Sequence, residues 1–196
     1  CGSAASLCGL GRAIDSGDAG QIDLAIGRLL LIQGVVFTIG GIPLIYLGDE
    51  IGTLNDPSYR EDPEKALDSR WLHRPFFDWD KAERRHDPGS IEGRIYHGML
   101  ALTRIRLNNA AVAGGDTEIV DPGNTHVFGY FRITPEQSTL CLANFSEHPQ
   151  TISAPRLGQL GMRKSMVDVI SGTNMLASAQ VDLEPLQFMV LLPQGG

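Results

Sequence analysis

Ile42-Pro43-Leu44-Ile45-Tyr46-Leu47, set between Gly40-Gly41 and Gly48-Asp49-Glu50, is the stretch on which the reading of the fold turns. A continuous apolar run of strand length, bounded by glycine, suits a parallel strand covered on both faces rather than one with a wet side. Upstream, a short apolar helix is expected around Ala4 to Ile14, then a polar turn at Asp15-Ser16-Gly17-Asp18. A second helix should start near Asp18, carry Ile22, Leu24, Ile26, Leu29, Leu30 and Ile32 in increasingly continuous spacing, and end at Gly40-Gly41. A helix followed directly by a buried strand is α/β alternation.

Downstream of that stretch, roughly forty residues from Gly48 to about Pro88 are rich in Asp, Pro, Arg and His and show little periodicity, far beyond the usual loop length of about 4–6 residues. Loops of that length after a strand are usually functional or disordered. Asp87-Pro88 predicts the start of a third helix, with Ile91, Ile95, Met99, Leu102 and Ile105 at three- and four-residue spacing and Asn108-Asn109 as its stop. The period then changes to two. His126 to Ile133, Ser138 to Phe145, Thr151 to Ala154, Ser165 to Ile170, Ala179 to Leu183 and Leu186 to Leu192 read as short strands, the pattern of an all-β sandwich of about ninety residues. The predicted boundary therefore lies near residue 110.

The 196 residues are 42% apolar and 20% charged, which excludes collagen-like, disordered and disulfide-scaffold classes. With 23 Asp and Glu against 16 Lys and Arg, the net charge of −7 argues against nucleic acid and anionic lipid as partners. Cys1, Cys8 and Cys141 form no C-x-x-C pair and point to a reducing compartment, with a cytoplasmic location expected. The start at Cys1, without a signal-peptide pattern, reads as a chain that begins within a longer protein. From Leu29 to Gly48 about twenty residues pass without a charge, the length of a bilayer span. Gly40-Gly41 and Pro43 interrupt that run, so a buried helix and a buried strand are expected instead.

Two clusters are candidates for chemistry. Asp49-Glu50 would stand at the C-terminal end of the apolar strand, where α/β barrels place catalytic groups, but adjacent residues point to opposite sides. Two carboxylates that cleave a glycoside must flank one bond about 5–9.5 Å apart, so a role in holding the following loop through backbone amides or a basic partner is the better expectation. The other cluster, Asp68-Ser69-Arg70-Trp71-Leu72-His73-Arg74-Pro75, gathers two arginines, a histidine and an indole. Trp71 can stack on a pyranose face and an arginine can fork onto an oxygen, although a solvated salt-bridged loop has the same composition. His73, His86, His97, His126 and His148 lack metal-ligand spacing, and neither a G-x-S-x-G elbow nor a phosphate-binding glycine loop is present, so no metal and no cofactor are expected. Arg84-Arg85, with Lys81 and Arg74, is interleaved with Asp78, Asp80 and Glu83 and reads as a solvated face.

Gly41-Ile42-Pro43-Leu44-Ile45-Tyr46-Leu47-Gly48-Asp49-Glu50-Ile51-Gly52 resembles the strand-eight segment of the α-amylase superfamily, glycoside hydrolase family 13. Thr53-Leu54-Asn55-Asp56, the Asp68 to Pro75 cluster, and Asn144-Phe145-Ser146-Glu147 with Pro149-Gln150-Thr151 are similar to the amylosucrase and sucrose hydrolase branch of that superfamily. The resemblance implies that residues 1–108 form the C-terminal part of a (β/α)8 TIM barrel, with the last helices, strand eight and its long loop. Residues 109–196 would form an antiparallel β-sandwich, domain C. It also implies sucrose and an α-glucan as substrates of a full enzyme. Arg70 matches the family arginine that closes the pocket of the terminal glucose by pairing with an Asp of the N-terminal barrel half, and is the one substrate-binding residue it places here. The nucleophile, the acid/base and the transition-state-stabilising Asp of the family have no counterpart in this sequence, so no catalytic residue is assigned and the chain alone is expected to be inactive. An arginine-bearing acceptor loop that relatives carry before the Ala4 helix has no counterpart either. A non-catalytic binding or assembly module built on the β-domain is the alternative from another class.

Overall fold

The computed structural model describes residues 2–176 and 179–194, so Cys1 lies outside the described residues. The chain divides into two compact units, one of residues 1–29 and 44–99 and the other of residues 30–43 and 100–196. The change of period near residue 110 marks where strand-type sequence begins, while the second unit also takes in the C-terminal halves of two long helices.

In the first unit the helix expected over Ala4 to Ile14 is broken into α1 (Ala4–Leu7) and α2 (Leu10–Ser16), because Gly9 between them adopts a left-handed φ of 88°. α3 (Ala19–Thr38) starts where Asp18 Oδ1 accepts the N–H groups of Gly20 and Gln21 at 2.8 and 3.2 Å. It is the one helix among the described residues long and apolar enough to cross a membrane. Its Asp23 nevertheless pairs with Arg94 at 2.8 Å, and Ala25, Ile26 and Leu29 are buried in the unit.

The expected parallel strand at Ile42 to Leu47 is not formed. The segment is extended but joins no ladder, and Ile42 and Leu44 are 96% and 77% exposed. A parallel strand draws its stability from neighbours on both edges and layers on both faces; the described residues supply neither, and Pro43 has no N–H to donate. After it come the short α4 (Trp79–Glu83) and α5 (Ile91–Asn108). α5 begins a turn later than Asp87 predicts, because the Ser90 hydroxyl accepts the Gly93 N–H at 2.9 Å while Asp87 caps the turn before it. It ends at Asn108, where expected.

The second unit is an antiparallel sandwich. α6 (Ala110–Gly114), capped by Asn109, leads into β1 (Asp116–Val120), β2 (Val127–Ile133), β3 (Ser138–Asn144), β4 (Gln150–Ile152), α7 (Ala154–Gln159), β5 (Met166–Asp168), β6 (Asn174–Met175), β7 (Val181–Leu183) and β8 (Phe188–Pro193). One sheet has the order β1-β2-β3-β8-β5-β6, and β4 pairs with β7 separately. Alternation sorts the side chains. Phe131, Leu140, Leu142, Met189 and Leu191 face a core with Ile152, Val181 and Leu183 of the two-stranded ribbon and Leu157 of α7. β1, which composition gave no reason to expect, is an exposed edge strand of mostly polar residues.

The opposite face of the sheet carries Tyr130, Arg132, Cys141 and Phe188 and receives the end of α3. Gly34 permits that approach, since a Cβ there would lie 2.4 Å from the Phe188 ring. Thr38 Oγ1 donates its single proton to Gly34 O at 2.7 Å, so in its 2.5 Å contact with Tyr130 the phenol is the donor. Arg132, 2% exposed, donates to Ile39 O at 3.0 Å and to Thr117 Oγ1, and Arg106 donates to Phe37 O at 2.8 Å, Gly41 O at 2.5 Å and Ala113 O at 3.2 Å. Burial pushes the Cys141 thiol up to about 12, so it stays protonated in neutral solution.

Two substitutions separate these contributions. Arg132→Met, which leaves a buried carbonyl without its charged donor, is expected to lower unfolding stability by about 2–4 kcal/mol, whereas Tyr130→Phe is expected to cost about 1 kcal/mol. Urea unfolding of the variants measures both, and equal costs would contradict the weight given to Arg132.

Candidate functional site

The long polar loop is ordered by its own aspartates. Asp56, Asp62, Asp68, Asp78 and Asp87 each accept a backbone N–H two or three residues ahead, at 2.8 to 3.0 Å. Side-chain-capped turns of this kind let an apolar-poor segment hold a fixed course without a core of its own. The 3-10 turns Pro57–Glu61 and Ser69–His73 are tied by the Asp56 N–H donating to Leu72 O at 2.8 Å. Asn55 joins the loop to α1, its Oδ1 accepting from Ser3 N–H at 2.7 Å and its N–H donating to Ser6 Oγ at 2.8 Å.

Asp49 and Glu50 occupy a 3-10 turn, Asp49–Ile51, between the left-handed glycines Gly48 and Gly52. Glu50 Oε2 accepts the Gly48 N–H at 2.8 Å, and burial pushes the Asp49 carboxyl above the usual range. The pair thus braces the start of the loop through backbone amides, the arrangement its adjacency favours.

Arg70 is exposed at the head of its turn. Its Nε donates to both Asp68 oxygens at 2.9 and 3.0 Å and its Nη2 to Oδ2 at 2.8 Å, so a two-residue step closes a forked ion pair in solvent. That pairing, with the Arg70 backbone N–H, holds the Asp68 carboxyl down at about 2. The turn does not bring Arg70, His73 and Arg74 onto a common partner. His73 Nδ1 is buried without a hydrogen-bond partner among the described residues, with the Tyr46 ring 6.1 Å away.

Beside Arg70 the two turns enclose a cleft of about 390 Å³, lined by Asp56, Tyr59, Asp62, Lys65, Trp71 and Phe76 among others. Lys65 Nζ sits 5.2 Å from the centre of the Trp71 ring and 5.6 Å from that of Phe76, and is paired with Asp62 at 3.0 Å. Of these residues sequence reasoning picked out only Trp71. Tyr59, Lys65 and Phe76 follow no period, and the sole signal for them is that aromatic rings stand in a stretch rich in charged residues.

The basic concentration further on is mixed, as its composition suggests. Arg84 pairs with Glu92 at 3.2 Å and Arg85 with Glu83 at 3.8 Å, while Lys81 turns inward to donate to Gly52 O at 3.1 Å, where burial lowers its ammonium pKa. His97 lies on the exposed side of α5. Among the described residues no three His, Cys, Asp or Glu side chains form a group able to hold a metal ion.

Residues 117–190 match the model of the maltogenic amylase C-terminal domain. A glucosylglycerate phosphorylase of Allomeiothermus silvanus is 27% identical over 137 residues, 70% of this chain and 24% of that protein. The fold is shared with AmyP, in a variant crystallised with maltotriose, at a TM-score of 0.67 and 15% identity over 87% of this chain and 35% of that one. It is shared also with the trehalulose synthase MutB of Pseudomonas mesoacidophila MX-45, at a TM-score of 0.60 and 18% identity over 86% and 38%. Residues 117–190 are thus similar to the C-terminal domain of maltogenic amylases, and the fold is that of the C-terminal part of α-amylase-like enzymes.

It spans about a quarter of the length of the phosphorylase it matches. The match takes in β2 to β7 whole, begins one residue into β1 and ends at Val190 within β8.

The Asp68–Arg70 fork gives this site its first test. Replacing Arg70 with Ala is expected to return the Asp68 carboxyl from about 2 toward the ordinary range, leaving the lowering from the residue-70 backbone N–H and from the Arg74 charge. Carboxyl-carbon chemical shifts followed against pH measure this directly. An unchanged midpoint would show that the fork is not populated in solution.

Proposed function

We propose that this chain is the C-terminal part of an amylosucrase-like retaining glucosyltransferase, whose whole protein cleaves sucrose, releases fructose and passes the glucosyl unit to an α-glucan. The observation that carries this reading is Arg70, a guanidinium presented at the head of a pre-formed turn and held only by a solvent-exposed carboxylate two residues away. Such an arginine is poised to exchange one carboxylate for another, and its planar fork suits a carboxylate beside a bound sugar. The Asp68-Ser69-Arg70-Trp71 motif is the resemblance that points to sucrose. The MutB fold has been crystallised with sucrose as substrate and lends the reading support.

In that chemistry a carboxylate attacks the anomeric carbon as the bond to the fructosyl oxygen breaks, and an acid protonates the departing oxygen. The covalent glucosyl intermediate is then attacked by an acceptor hydroxyl, whose proton returns to the same acid/base. Neither carboxylate of this pair is assigned to the present chain, which contributes binding. By itself it is inactive under this reading.

Sucrose hydrolysis differs only in the acceptor, and the identity with a glucosylglycerate phosphorylase favours phosphate as a third acceptor. The natural full-length protein given sucrose separates them. Fructose with little free glucose, in the presence of glucan, is the expected result; equal glucose and fructose indicate hydrolysis, and phosphate-dependent glucose 1-phosphate indicates phosphorolysis. Arg70→Ala is expected to lower sucrose turnover at least about 100-fold, the consequence of leaving a buried charge unpaired at about 3–5 kcal/mol, and Arg70→Lys to rescue it poorly. Turnover within twofold of wild type in Arg70→Ala would overturn the assignment.

A further inference from the structure

We infer that Asn55 is a positioning residue for Arg70: its side chain and backbone fasten the loop to the start of α1, and the turn that carries Arg70 takes its place from that anchor. This rests on the reading that Arg70 acts beside the sugar, and adds the residue that fixes where Arg70 stands.

Arg70 cannot set its own position. Its side chain is 67% exposed and its ion pair is with Asp68, two residues away in the same turn. A contact so local travels with the turn and does not decide where the turn lies. The backbone of the turn is held from outside, by the Asp56 N–H donating to Leu72 O at 2.8 Å. Asp56 follows Asn55 directly, so whatever fixes Asn55 fixes the donor to which the turn is bound. A functional group works at the precision of the residues that support it, and a misplacement of about 1 Å caused by a change away from the reacting atoms can cost on the order of 100-fold in rate.

Asn55 is itself fixed twice. Its Oδ1 accepts the Ser3 N–H at 2.7 Å and its own N–H donates to Ser6 Oγ at 2.8 Å. These bonds reach across 52 and 49 residues of chain, whereas the bonds by which Asp56, Asp62 and Asp68 cap their turns close over two. Ser3 is the N-cap of α1, and its N–H stands ahead of the helix, where a backbone donor finds no acceptor within the helix. Gly2 approaches so closely that a Cβ there would lie 3.1 Å from Asn55 Nδ2 and 3.3 Å from its Oδ1, which confines the amide on that side. The residues before Asn55 are seated as firmly. Leu54 lies over Gly11 of α2, with both methyls 3.8 Å from where a Cβ would stand. Gly52, at a φ of 64°, fits where a Cβ would lie 2.6 Å from Ile95 of α5 and 3.2 Å from Leu10 of α2. The chain therefore leaves three helices at Asn55 before it enters the aspartate-capped turns.

The test uses the natural full-length protein. Asn55→Ala is expected to lower kcat/KM for sucrose at least about tenfold, and to cause no further loss when added to Arg70→Ala, because a residue that acts through Arg70 has nothing left to position. Asn55→Asp keeps the Oδ1 acceptor and loses an amide donor that has no hydrogen-bond partner among the described residues, so it is expected to stay within about threefold of wild type. Where Arg70→Ala is impaired, wild-type turnover in Asn55→Ala, or losses that multiply in the double variant, would overturn the inference. Hydrogen exchange read by mass spectrometry separates it from the reading it rests on. In Asn55→Ala, peptides covering residues 53–59 and 69–74 are expected to exchange at least about fivefold faster, while those of α5 and β3 keep their protection and show the fold intact. Faster exchange in a protein that releases no fructose, or in which Arg70→Ala turns over as wild type does, refutes the role given to Arg70 and leaves Asn55 as the anchor of its turn. Unchanged exchange in both loop peptides refutes the anchor whatever the turnover.

Discussion

Two arginines without carboxylate partners among the described residues, Arg106 and Arg132, are the constraint on which the second unit depends. A helix ends with carbonyls that nothing within it can satisfy and with a partial negative charge. Here α3 ends against the sheet, and the carbonyls of Phe37, Ile39 and Gly41 are taken up by the two guanidiniums. Arg132 reaches Ile39 from a strand and Arg106 reaches Phe37 from a helix, while Arg106 also holds Ala113 at the end of α6. A lysine presents a single ammonium point charge and cannot span such a set of acceptors. Gly34 and the Thr38–Tyr130 hydrogen bond are consequences of the same approach, because they operate only when the helix end lies close on the sheet.

Hydrophobic pattern revealed the sheet's interior well and its borders poorly. The strands from Val127 onward alternate because one face meets the ribbon and the other meets helix, and period two survives where both demands are met. β1 escaped notice because an edge strand with a wet face has no apolar rhythm to display. Ile42 to Leu47 shows the converse error. Its apolar run predicts burial, but hydrophobicity states only what a segment would gain from neighbours and not that the neighbours are present, and here Ile42 and Leu44 stand in solvent. The start of α5 differs from the sequence expectation for a smaller reason, since Asp87 and Ser90 are both able caps and the sequence does not say which turn each will close.

The candidate site was legible as a region and not as a set of residues. Arg70 was named from a motif, and the structure adds what a motif lacks, namely that its present partner is Asp68 and that the pair is exposed. Tyr59, Lys65 and Phe76 gather beside Trp71 through a succession of aspartate-capped turns, each decided locally, whose sum is a cleft. No periodic signal encodes such an arrangement. The aspartates that made the loop look like a solvated stretch are the groups that give it a shape.

The most direct measurement is a crystal structure of the natural full-length protein with glucose held at its active site. The account predicts that the Arg70 guanidinium has left Asp68 and forks onto a carboxylate beside the sugar, with the turn from Ser69 to His73 otherwise unmoved. Arg70 still paired with Asp68, and no atom of this loop within hydrogen-bond distance of the sugar or of a residue that touches it, would contradict it.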